Sequence, residues 1–404
     1  MHIKRHMESV VLGLIQEYPC ILISGPRQVG KTTLIENLQE PAPREFVTLD
    51  DGALRDMAKR DPKLFLEIHK PPVCIDEVQY APELFPYIKM IVDKNKRAGD
   101  FILTGSQVYK LMRGVSESLA GRIAVLDMQG ISLSETTGLP NLPFIPDFNG
   151  CADRKLKTPI DAVSLFTRIF NGSMPLIVSG ARSDTAVYYS SYVTTYLQRD
   201  IREIAQVDEV KFFRFLTAAA VRSAQILNAT ELARDAGISL PTAQSWLGIL
   251  ETLGIIFYLH PYSNNLLKRT LKTPKLYFYD TGLVCYLSQW NGVEAMMTGA
   301  ASGALLETFV VSEIMKTYLN AGRRPFVYYY RDTDMREIDL IIEQNNRLFP
   351  IEIKKAATVD KRTANVFRLI EKSGLSQGAG AIVCLSDSFG AFDRETLILP
   401  VGVI

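Results

Sequence analysis

The sequence predicts an α/β protein with three structured parts: a parallel-sheet domain, a helical region that contains a helix-turn-helix and a β-hairpin, and a smaller α/β domain. In the first part, short apolar runs alternate with helical stretches, which is typical of a parallel sheet covered on both faces. In the last part, two strand patterns flank a short polar turn, which indicates a hairpin. The length of 404 residues accommodates two or three domains.

Changes in pattern along the chain predict the boundaries between these parts. Four prolines and two glycines interrupt the alternation over 138–159, which indicates a linker or insertion. The predicted parts are the parallel-sheet domain (1–137), the linker or insertion (138–159), a helical lid (160–222), the helix-turn-helix with its hairpin (223–294) and the last α/β domain (295–404).

Composition and charge exclude several classes of protein. With 45 basic and 44 acidic residues the net charge is +1, so a polybasic protein that coats nucleic acid is excluded, although a local basic patch is not.

The five cysteines are scattered and form no CxxC pair, which argues against a disulfide framework or zinc ribbon and favours a reducing compartment. No apolar run reaches the roughly 18 residues of a membrane helix, so we expect a cytoplasmic protein without a membrane partner.

The first apolar run, 20–24, leads into a glycine-containing turn and then a helix, which is the context of a phosphate-binding loop. The turn fits the pattern GxxxxGK[ST], whose glycines let backbone N–H groups converge on a phosphate at a helix start. We expect Lys31 to reach the β and γ phosphates and the Thr32 hydroxyl to bind Mg²⁺. The sequence therefore predicts a site for ATP with Mg²⁺. The predicted nucleotide-binding residues are Gly25, Pro26, Arg27, Gln28, Val29, Gly30, Lys31, Thr32, Thr33 and Asp76.

A pair of carboxylates follows a later apolar run, 73–75. The carboxyl ends of parallel strands border the ligand crevice of an open sheet, so Asp76 is expected to bind Mg²⁺ directly or through water. Glu77 is then placed to act as a general base toward a water that attacks the γ phosphate. The alternative is that both residues are simply acids at the start of a helix.

Further polar positions lie where a γ phosphate would be sensed. Thr104 and Ser106 end the next apolar run, so either hydroxyl would contact the attacking water or the γ phosphate; the alternative is an ordinary turn. Arg122 precedes another run, 123–126, and an arginine there tends to point toward a neighbouring subunit. It is a candidate arginine finger that acts in trans within a homo-oligomer. The alternative for Arg122 is a surface salt bridge.

The order of these motifs resembles the AAA+ ATPases. More narrowly, the chain is similar to prokaryotic AAA+-like ATPases that carry a C-terminal domain of unknown function, and the similarity spans nearly the whole chain. The motifs that carry it are GPRQVGKTT at 25–33, DEVQ at 76–79, GR at 121–122 and YFYDTGL at 277–283. The resemblance implies ATP binding, a P-loop AAA+ parallel-sheet domain, a winged helix and a restriction-endonuclease-like fold of the PD-(D/E)xK type at the carboxyl end.

Residues 228–239 and 240–253 have the spacing of a helix-turn-helix, and Gly237 closes the first helix. The presumptive recognition helix contains neither lysine nor arginine, although phosphate contacts normally dominate affinity for DNA. Four basic residues lie instead in the following hairpin, the wing, and we expect them to follow a DNA backbone. The alternative is a winged helix that serves as a lid on the ATPase or as a subunit contact. The wing residues are Lys268, Arg269, Lys272 and Lys275.

Two strand patterns near the carboxyl end are joined by an Asn-Asn turn at 345–346, and asparagine tolerates the positive φ of a tight hairpin turn. The two-residue period of a strand then places Ile338, Leu340 and Ile342 on one apolar face, which would pack on a helix. The acidic residues of both strands would lie on the opposite face, which is a candidate site.

The same register opposes Asp339 to Glu352, and two opposed carboxylates destabilise a hairpin unless a cation lies between them. Mg²⁺ with oxygen ligands from both residues would remove the repulsion. Lys354 would hold the attacking water, and Glu307 from the preceding helix would complete the set. This resembles the Asp…Glu-x-Lys signature of PD-(D/E)xK nucleases, although the usual proline before the aspartate is absent. The alternative is a solvated face with a Glu337–Lys354 pair.

Two functional hypotheses follow from these motifs. In the first, a Mg²⁺-dependent AAA+ ATPase moves the winged helix with its nucleotide state and controls a nuclease-like domain on DNA. In the second, the chain is a signalling or scaffolding switch that turns over ATP slowly and uses an inactive nuclease-like domain for protein contacts. A gene regulator is a third possibility, which the uncharged recognition helix disfavours.

Overall fold

The first domain contains a parallel sheet, as the alternating pattern predicts. The computed structural model describes residues 3–40, 43–106, 118–154, 160–197, 208–265, 269, 272–373 and 375–404. The strands of this sheet are β1 (Cys20–Ser24), β2 (Glu45–Thr48), β3 (Val73–Asp76), β4 (Phe101–Gly105) and β5 (Ile123–Asp127). Among the described residues they pair in the order β2-β3-β4-β1-β5, and every pairing is parallel.

Helices accompany this sheet, and local sequence signals explain where several of them begin. Asp51 accepts hydrogen bonds from two backbone N–H groups of the first turn of α3 (Gly52–Arg60), and Ser132 with Glu135 forms a capping box at the start of α6 (Leu133–Thr137). The central strands β1 and β4 are buried throughout. The helices are α1 (Met7–Leu14), α2 (Lys31–Glu36), α3 (Gly52–Arg60), α4 (Pro62–Ile68), α5 (Leu84–Asn95) and α6 (Leu133–Thr137).

The proline-rich segment that we expected to be a linker or insertion packs against the molecule at several described positions. The backbone N–H of the buried Phe144 donates to Thr317 Oγ1 at 3.0 Å, and its carbonyl accepts from Tyr318 Oη at 2.9 Å. The Arg154 guanidinium donates to the carbonyls of Leu142 and Val403. A short helix, α7 (Phe148–Asp153), lies between these contacts. Residues 138–154 are therefore a packed connection, and 155–159 lie outside the described residues.

The middle region contains the predicted pair of helices. Asn228 caps the first and Ser239 the second, and Gly237 between them has a left-handed φ of 65°. The helices are α8 (Ala162–Asn171), α9 (Pro175–Val178), α10 (Thr185–Tyr192), α11 (Glu209–Ala220), α12 (Ala229–Ala236), α13 (Leu240–Thr252), α14 (Thr281–Leu287) and α15 (Val293–Thr298), with a π-helical turn at Val193–Leu197. The strands are β6 (Gln225–Ile226), β7 (Ile256–Pro261) and β8 (Lys275–Phe278). A winged helix remains a prediction for this unit.

The last domain adds one long helix and a set of strands that continue the hairpin sheet of the middle region. The elements are α16 (Ser302–Asn320), β9 (Val327–Arg331), β10 (Glu337–Gln344), β11 (Arg347–Lys354), β12 (Ser376–Gln377), β13 (Gly380–Cys384), β14 (Gly390–Asp393) and β15 (Thr396–Pro400), with 3₁₀ helices at Lys361–Ser373 and Val401–Val403. Because β7 pairs in parallel with β9, the ten described strands β6 to β15 form a single sheet. The predicted boundary between 294 and 295 thus falls within a region spanned by one continuous sheet.

The hairpin of β10 and β11 has the predicted turn and register. Asn345 and Asn346 have φ values of 51° and 57°, and Leu340 lies opposite Ile351. Leu340 and Ile351 belong to the same buried cluster as residues of α16, so the prediction that an apolar face packs on a helix is confirmed.

The predicted alternation of faces is wrong at Ile338. A β-bulge interrupts the pairing of β10 with β9 between Ile338 and Ile341. Ile338 packs in one cluster with Ile341 and Leu348, whereas Leu340 belongs to another. A bulge adds a residue to one strand and therefore shifts the two-residue period across it, which the sequence pattern alone did not indicate.

Helix α16 connects the last domain to the first through buried polar groups. Glu313 and Lys316 are each 2% exposed at the side chain and form an ion pair of 2.9 Å. Glu313 Oε2 also accepts from the backbone N–H of Leu133 at 2.6 Å, and Asn320 Nδ2 donates to Ser132 Oγ at 3.2 Å. A buried charge without partners is strongly destabilising, so these contacts fix α16 against the start of α6.

Asp280, within the motif 277–283, connects the helical lid to the strand–helix unit that follows the wing. Its carboxylate accepts hydrogen bonds of 2.7 Å from Tyr189 Oη and from both the backbone N–H and the Oγ of Ser173. Gly282 lies in the same contact: a Cβ there would be 2.4 Å from Tyr189 Oη and 2.7 Å from the Asn171 carbonyl oxygen. Close approach of α14 to the lid therefore requires glycine at this position.

All five cysteines are buried free thiols. Among the described residues, no helix combines the length and the hydropathy needed to cross a membrane.

We expect Gly282→Ala to lower the free energy of unfolding by about 1–3 kcal/mol, the usual cost of overpacking a closely packed contact. Gly248→Ala is the matched control, because a Cβ at Gly248 in α13 meets no atom within 4 Å and alanine is the better helix former by up to about 1 kcal/mol. Urea denaturation followed by circular dichroism measures both. Equal stability of the two variants would contradict the close contact at Gly282.

Candidate nucleotide site and carboxylate cluster

The predicted phosphate-binding loop follows β1 and leads into α2, as the motif requires. Gly25 has a φ of 149°, and Gly30, which caps α2, has a φ of 93°. A Cβ on Gly25 would lie 2.1 Å from the carbonyl oxygen of Met128, so only glycine fits this turn. The fold therefore produces the loop-to-helix turn in which backbone N–H groups bind phosphate.

Lys31 folds back over this loop. Its side chain is buried, and Nζ donates to the carbonyl oxygens of Gly25 at 2.9 Å and Pro26 at 2.8 Å. The ammonium group is thus held inside the turn that would surround the phosphates.

The predicted Mg²⁺ ligands Thr32 and Asp76 lie together. Thr32 Oγ1 is 3.3 Å from Asp76 Oδ1, and Thr48 Oγ1 is 3.2 Å from Asp76 Oδ2. Thr104 Oγ1 also donates to Asp76 Oδ1. Burial raises the pKa of Asp76, and the Thr104 hydrogen bond opposes that shift. Hydroxyl and carboxylate oxygens are the ligands that Mg²⁺ prefers, so these residues fit the predicted ion.

Glu77, the predicted general base, sits beside this pair in a strained backbone conformation. Its φ of 54° is left-handed, and its N–H donates to Thr104 Oγ1 at 3.2 Å. The predicted sensor Ser106 donates from Oγ to Glu77 Oε2 at 3.4 Å. Gln79 donates from Nε2 to the same Glu77 oxygen, while Gln79 Oε1 is buried without a hydrogen-bond partner among the described residues. The sequence predicted no role for Gln79, which appears there only as the last residue of the DEVQ motif.

Arg5 supports the loop from the amino-terminal segment, and sequence reasoning missed it. Its guanidinium donates to the carbonyls of Val29 and Gln129 at 2.8 Å each and pairs with Glu135 at 2.9 Å. The Glu135 side chain is fully buried. Burial opposes ionisation, but Arg5 and several hydrogen bonds outweigh it, so the pKa of Glu135 is lowered. No local motif marks Arg5, because its partners lie 24 to 130 residues away along the chain.

The loop also touches the middle region. Tyr188 Oη donates to Gln28 Oε1 at 2.7 Å. A Cβ on Gly254, in the turn between α13 and β7, would lie 3.2 Å from Pro26 Cδ. Arg27 between these positions is half-buried. The phosphate-binding loop is therefore in contact with the lid and with the hairpin.

A cavity of about 310 Å³ lies beside the loop and α2. Its wall is mainly apolar, and Thr33, which is exposed, contributes a polar edge. The lining includes Ile3, Val29, Leu34, Ile131, Pro175 and Leu176.

Arg122 lies far from its own loop. The backbone carbonyl of Arg122 accepts from the N–H of Cys20 at the beginning of β1, whereas Gly25 follows the end of that strand. The guanidinium of Arg122 forms an exposed ion pair with Asp93. Within one chain Arg122 is thus in the surface salt bridge that was its alternative.

The wing residues divide into different environments. Lys268 lies outside the described residues, and Lys272 is exposed. The Arg269 guanidinium stacks 4.5 Å from the ring centroids of both Tyr262 and Tyr328 and pairs with Glu343 at 2.9 Å. Lys275 is 3% exposed. Internal contacts therefore occupy Arg269 and Lys275, and contact of the wing with a DNA backbone stays a prediction.

The predicted residues of the second site come together in the last domain. Asp339 Oδ2 accepts from the backbone N–H of Ile353 at 2.8 Å, and Lys354 Nζ is 2.5 Å from Glu352 Oε1. Burial and the charge of Asp339 raise the pKa values of Glu307 and Glu352 to about 7.

Lys275 also enters this cluster, which sequence reasoning did not predict. Its Nζ lies 2.9 Å from Glu307 Oε1 and 2.5 Å from Glu337 Oε1. The Glu337–Lys354 pair that we considered does not form, since Lys354 binds Glu352 instead. Across the part of the chain that the structure describes, no group of three or more His, Cys, Asp or Glu side chains is arranged to hold a metal ion.

Family models match consecutive stretches of the chain. A model described as an AAA domain matches 17–137, a domain of unknown function (DUF8612) matches 163–294, and another (DUF4143) matches 302–403. The first match agrees with the P-loop ATPase type of α/β fold that the five-stranded sheet and its loop display. The other descriptions name no activity.

Two curated relatives are similar over most of the chain: the uncharacterized proteins Rv2008c of Mycobacterium tuberculosis and Mb2031c of Mycobacterium bovis. Each is 30% identical over 342 residues, which cover 84% of this chain and 71% of the relative. Among solved structures, the Walker-type ATPase PABY2304 of Pyrococcus abyssi aligns at 16% identity with a TM-score of 0.43, covering 70% of this chain and 94% of that one. The RuvB Holliday junction branch migration motor of Thermotoga maritima aligns at 15% identity with a TM-score of 0.30, covering 62% and 88%.

We expect Arg5→Ala to lower the free energy of unfolding by about 3–5 kcal/mol at neutral pH, because it leaves the buried Glu135 carboxylate without its cation. In the wild type the lowered pKa of Glu135 contributes stability that is present at neutral pH and lost as the pH falls. The difference in the free energy of unfolding between the wild type and the variant should therefore be larger at about pH 7.5 than at about pH 5, where Glu135 in the variant takes up a proton. The exposed Arg60 at the end of α3 provides the control Arg60→Ala. Urea denaturation at both pH values is the measurement, and a deficit independent of pH would refute the role of Glu135.

Proposed function

Because this chain belongs to the same family as the uncharacterized mycobacterial proteins Rv2008c and Mb2031c and contains an AAA domain, we propose that it is a Mg²⁺-dependent ATPase that acts as a nucleotide-controlled switch. One observation carries the proposal. Lys31, Thr32 and Asp76 converge at the carboxyl ends of β1 and β3, where the glycine turn leaves backbone N–H groups to bind phosphate.

The residues of the loop divide the work of binding. When phosphate enters, Lys31 exchanges the carbonyls of Gly25 and Pro26 for phosphate oxygens, which are charged and form the stronger hydrogen bonds. Thr32 and Asp76 hold Mg²⁺, which neutralises charge on the phosphates when it is bound. The apolar cavity beside α2 accepts the nucleobase, since it adjoins the loop and is mainly apolar.

Glu77 acts as the general base for the attacking water. Its carboxylate is held by Gln79 and Ser106, so its orientation is set before the water arrives. Gln79 Oε1, which has no hydrogen-bond partner among the described residues, is an acceptor at the same place. Positioning of this kind is the main contribution of a protein to phosphoryl transfer.

The contacts of the loop with the rest of the chain support the switch. Gln28 binds Tyr188 of the lid, and Pro26 lies against Gly254 in the turn before the hairpin. A shift of the loop on binding nucleotide therefore acts directly on two elements of the middle region. Through the continuous sheet, the hairpin is joined to the last domain.

Action on DNA receives less support from the geometry than the switch does. Of the wing residues, Lys272 is described and exposed, whereas Arg269 and Lys275 are bound internally. We therefore favour protein contacts over DNA as the output of the carboxy-terminal regions. The buried free thiols suit the reducing, cytoplasmic location that we propose.

Arg122 has a role in this proposal only between subunits. It lies at the edge of the sheet opposite its own loop and is exposed, so it is available to the nucleotide of a neighbouring copy. We propose that it acts in trans as an arginine finger.

We expect Lys31→Ala to weaken ATP binding by at least about 10-fold, since a charge-assisted hydrogen bond to phosphate contributes about 1.5–3 kcal/mol. Lys63→Ala, which removes a lysine with a 73% exposed side chain, should bind as the wild type does. Binding of a fluorescent ATP analogue in the presence of Mg²⁺ measures both. Equal affinity of the Lys31 variant and its control would refute the assignment of the loop.

We expect Glu77→Gln to reduce the rate of hydrolysis by about 10²–10⁴-fold and to leave ATP affinity unchanged, because it removes only proton transfer. Phosphate release in single-turnover experiments is the measurement. Normal turnover in this variant would show that Glu77 is not the base, and an inactive wild type would instead refute the ATPase itself.

Mixing experiments distinguish an arginine finger that acts in trans from a surface salt bridge at Arg122. Arg122→Ala should hydrolyse ATP slowly by itself and recover when mixed with Lys31→Ala, which keeps its own arginine but binds ATP more weakly. An Arg122→Ala enzyme as active as the wild type, or one that no mixture restores, would contradict action in trans.

A further inference from the structure

Lys275 occupies the centre of the carboxylate cluster in the last domain. It is 3% exposed, and its Nζ lies 2.9 Å from Glu307 Oε1 and 2.5 Å from Glu337 Oε1. The negative charge of Asp339 also acts on it. Lys275 comes from β8, Glu307 from α16 and Glu337 from β10, so one ammonium group joins three elements.

Most of the remaining charges of the cluster are also engaged by protein groups, although Glu352 Oε2 is buried without a hydrogen-bond partner among the described residues. Lys354 pairs with Glu352 at 2.5 Å, and Asp339 Oδ2 accepts from the backbone N–H of Ile353. Tyr277 Oη donates to Glu307 at 2.6 Å. Mg²⁺ takes six ligands in near-octahedral geometry, whereas no metal-ligand group of three or more such side chains is assembled across the described residues.

The position of Lys275 is fixed by the sheet. β8 pairs with β7, where Lys275 lies opposite Leu259, and β7 pairs with β9. Removing the ammonium from the carboxylates would therefore require either breaking this sheet or turning a long side chain out through a buried site. Both moves would leave Glu307 and Glu337 without their cation in an interior that disfavours unpaired charge.

We propose that the carboxylate cluster of the last domain binds no divalent metal ion, because the ammonium groups of Lys275 and Lys354 already pair with its carboxylates. The cluster is then an internal ion-pair network that fastens the hairpin of the middle region to α16 and β10. The expected Mg²⁺ ligands Asp339 and Glu352 are present, but they belong to a network whose positive charge the chain itself provides. This inference does not depend on the proposed ATPase activity.

Binding of Mn²⁺ to the full chain without nucleotide tests the proposal directly. Electron paramagnetic resonance counts bound Mn²⁺ in the wild type and in Asp339→Asn. Equal stoichiometry in the two proteins is the expected result. A wild type that binds one more Mn²⁺ than Asp339→Asn overturns the proposal, as does Mn²⁺-dependent cleavage of plasmid DNA that is lost in Asp339→Asn.

Replacement of the lysine gives a second, independent measurement. Lys275→Met leaves Glu307, Glu337 and Asp339 without their shared ammonium, so the variant should melt at a lower temperature than Lys272→Met, its exposed neighbour. It should also bind one Mn²⁺ more than the wild type, and the additional ion should raise its melting temperature. A folded Lys275→Met that melts with the control and gains no Mn²⁺ overturns the role of the lysine. If this variant does not fold, the comparison of the wild type with Asp339→Asn still decides the question of the metal.

Discussion

The buried polar face of α16 is the constraint on which the arrangement of the molecule depends. Glu313 and Lys316 pair within the interior, and the carboxylate also binds the backbone N–H of Leu133 in the first domain. Leaving a buried hydrogen-bonding group unpaired costs more free energy than its bond contributes. Arrangements of the helix that break these bonds are therefore disfavoured. The helix is therefore held in one position against the ATPase-type domain, and on its other side it supports Glu307 of the carboxylate cluster. A single apolar cluster extends from Met7 to Ile404, so the domains share a core as well as these bonds.

The features that the sequence predicted depend on residues close together along the chain, whereas those it missed depend on residues far apart. The phosphate-binding loop is a local strand–turn–helix pattern, and the Asn-Asn turn sets the register of its hairpin by itself, so both were predictable. Arg5 binds groups far along the chain, and nothing near it in the sequence indicates that contact. The residues next to Lys275 in the sequence do not indicate that it is buried, because its partners lie on two other elements. The bulge beside Ile338 depends on the pairing of β10 with β9, which residue alternation does not encode.

A net charge of +1 conceals how the charges are used. Several ionic groups that look like solvated surface in the sequence are buried pairs: Arg5 with Glu135, Lys316 with Glu313, and Lys275 with Glu307 and Glu337. Such pairs contribute little net free energy compared with apolar packing, but breaking one partner is costly. Their effect here is to specify which element contacts which. Of these pairs, the one formed by Lys275 joins the middle region to the last domain.

The pairing of β7 with β9 determines what a cut between the middle region and the last domain would expose. Both strands are interior members of the long sheet, so each has its backbone N–H and carbonyl groups engaged on two sides. A chain severed between the middle and last family matches would expose two new sheet edges rich in tyrosine and apolar residues, and edges of that kind recruit strands from other molecules. The pairing of β7 with β9 thus joins the matches at 163–294 and 302–403 in one sheet.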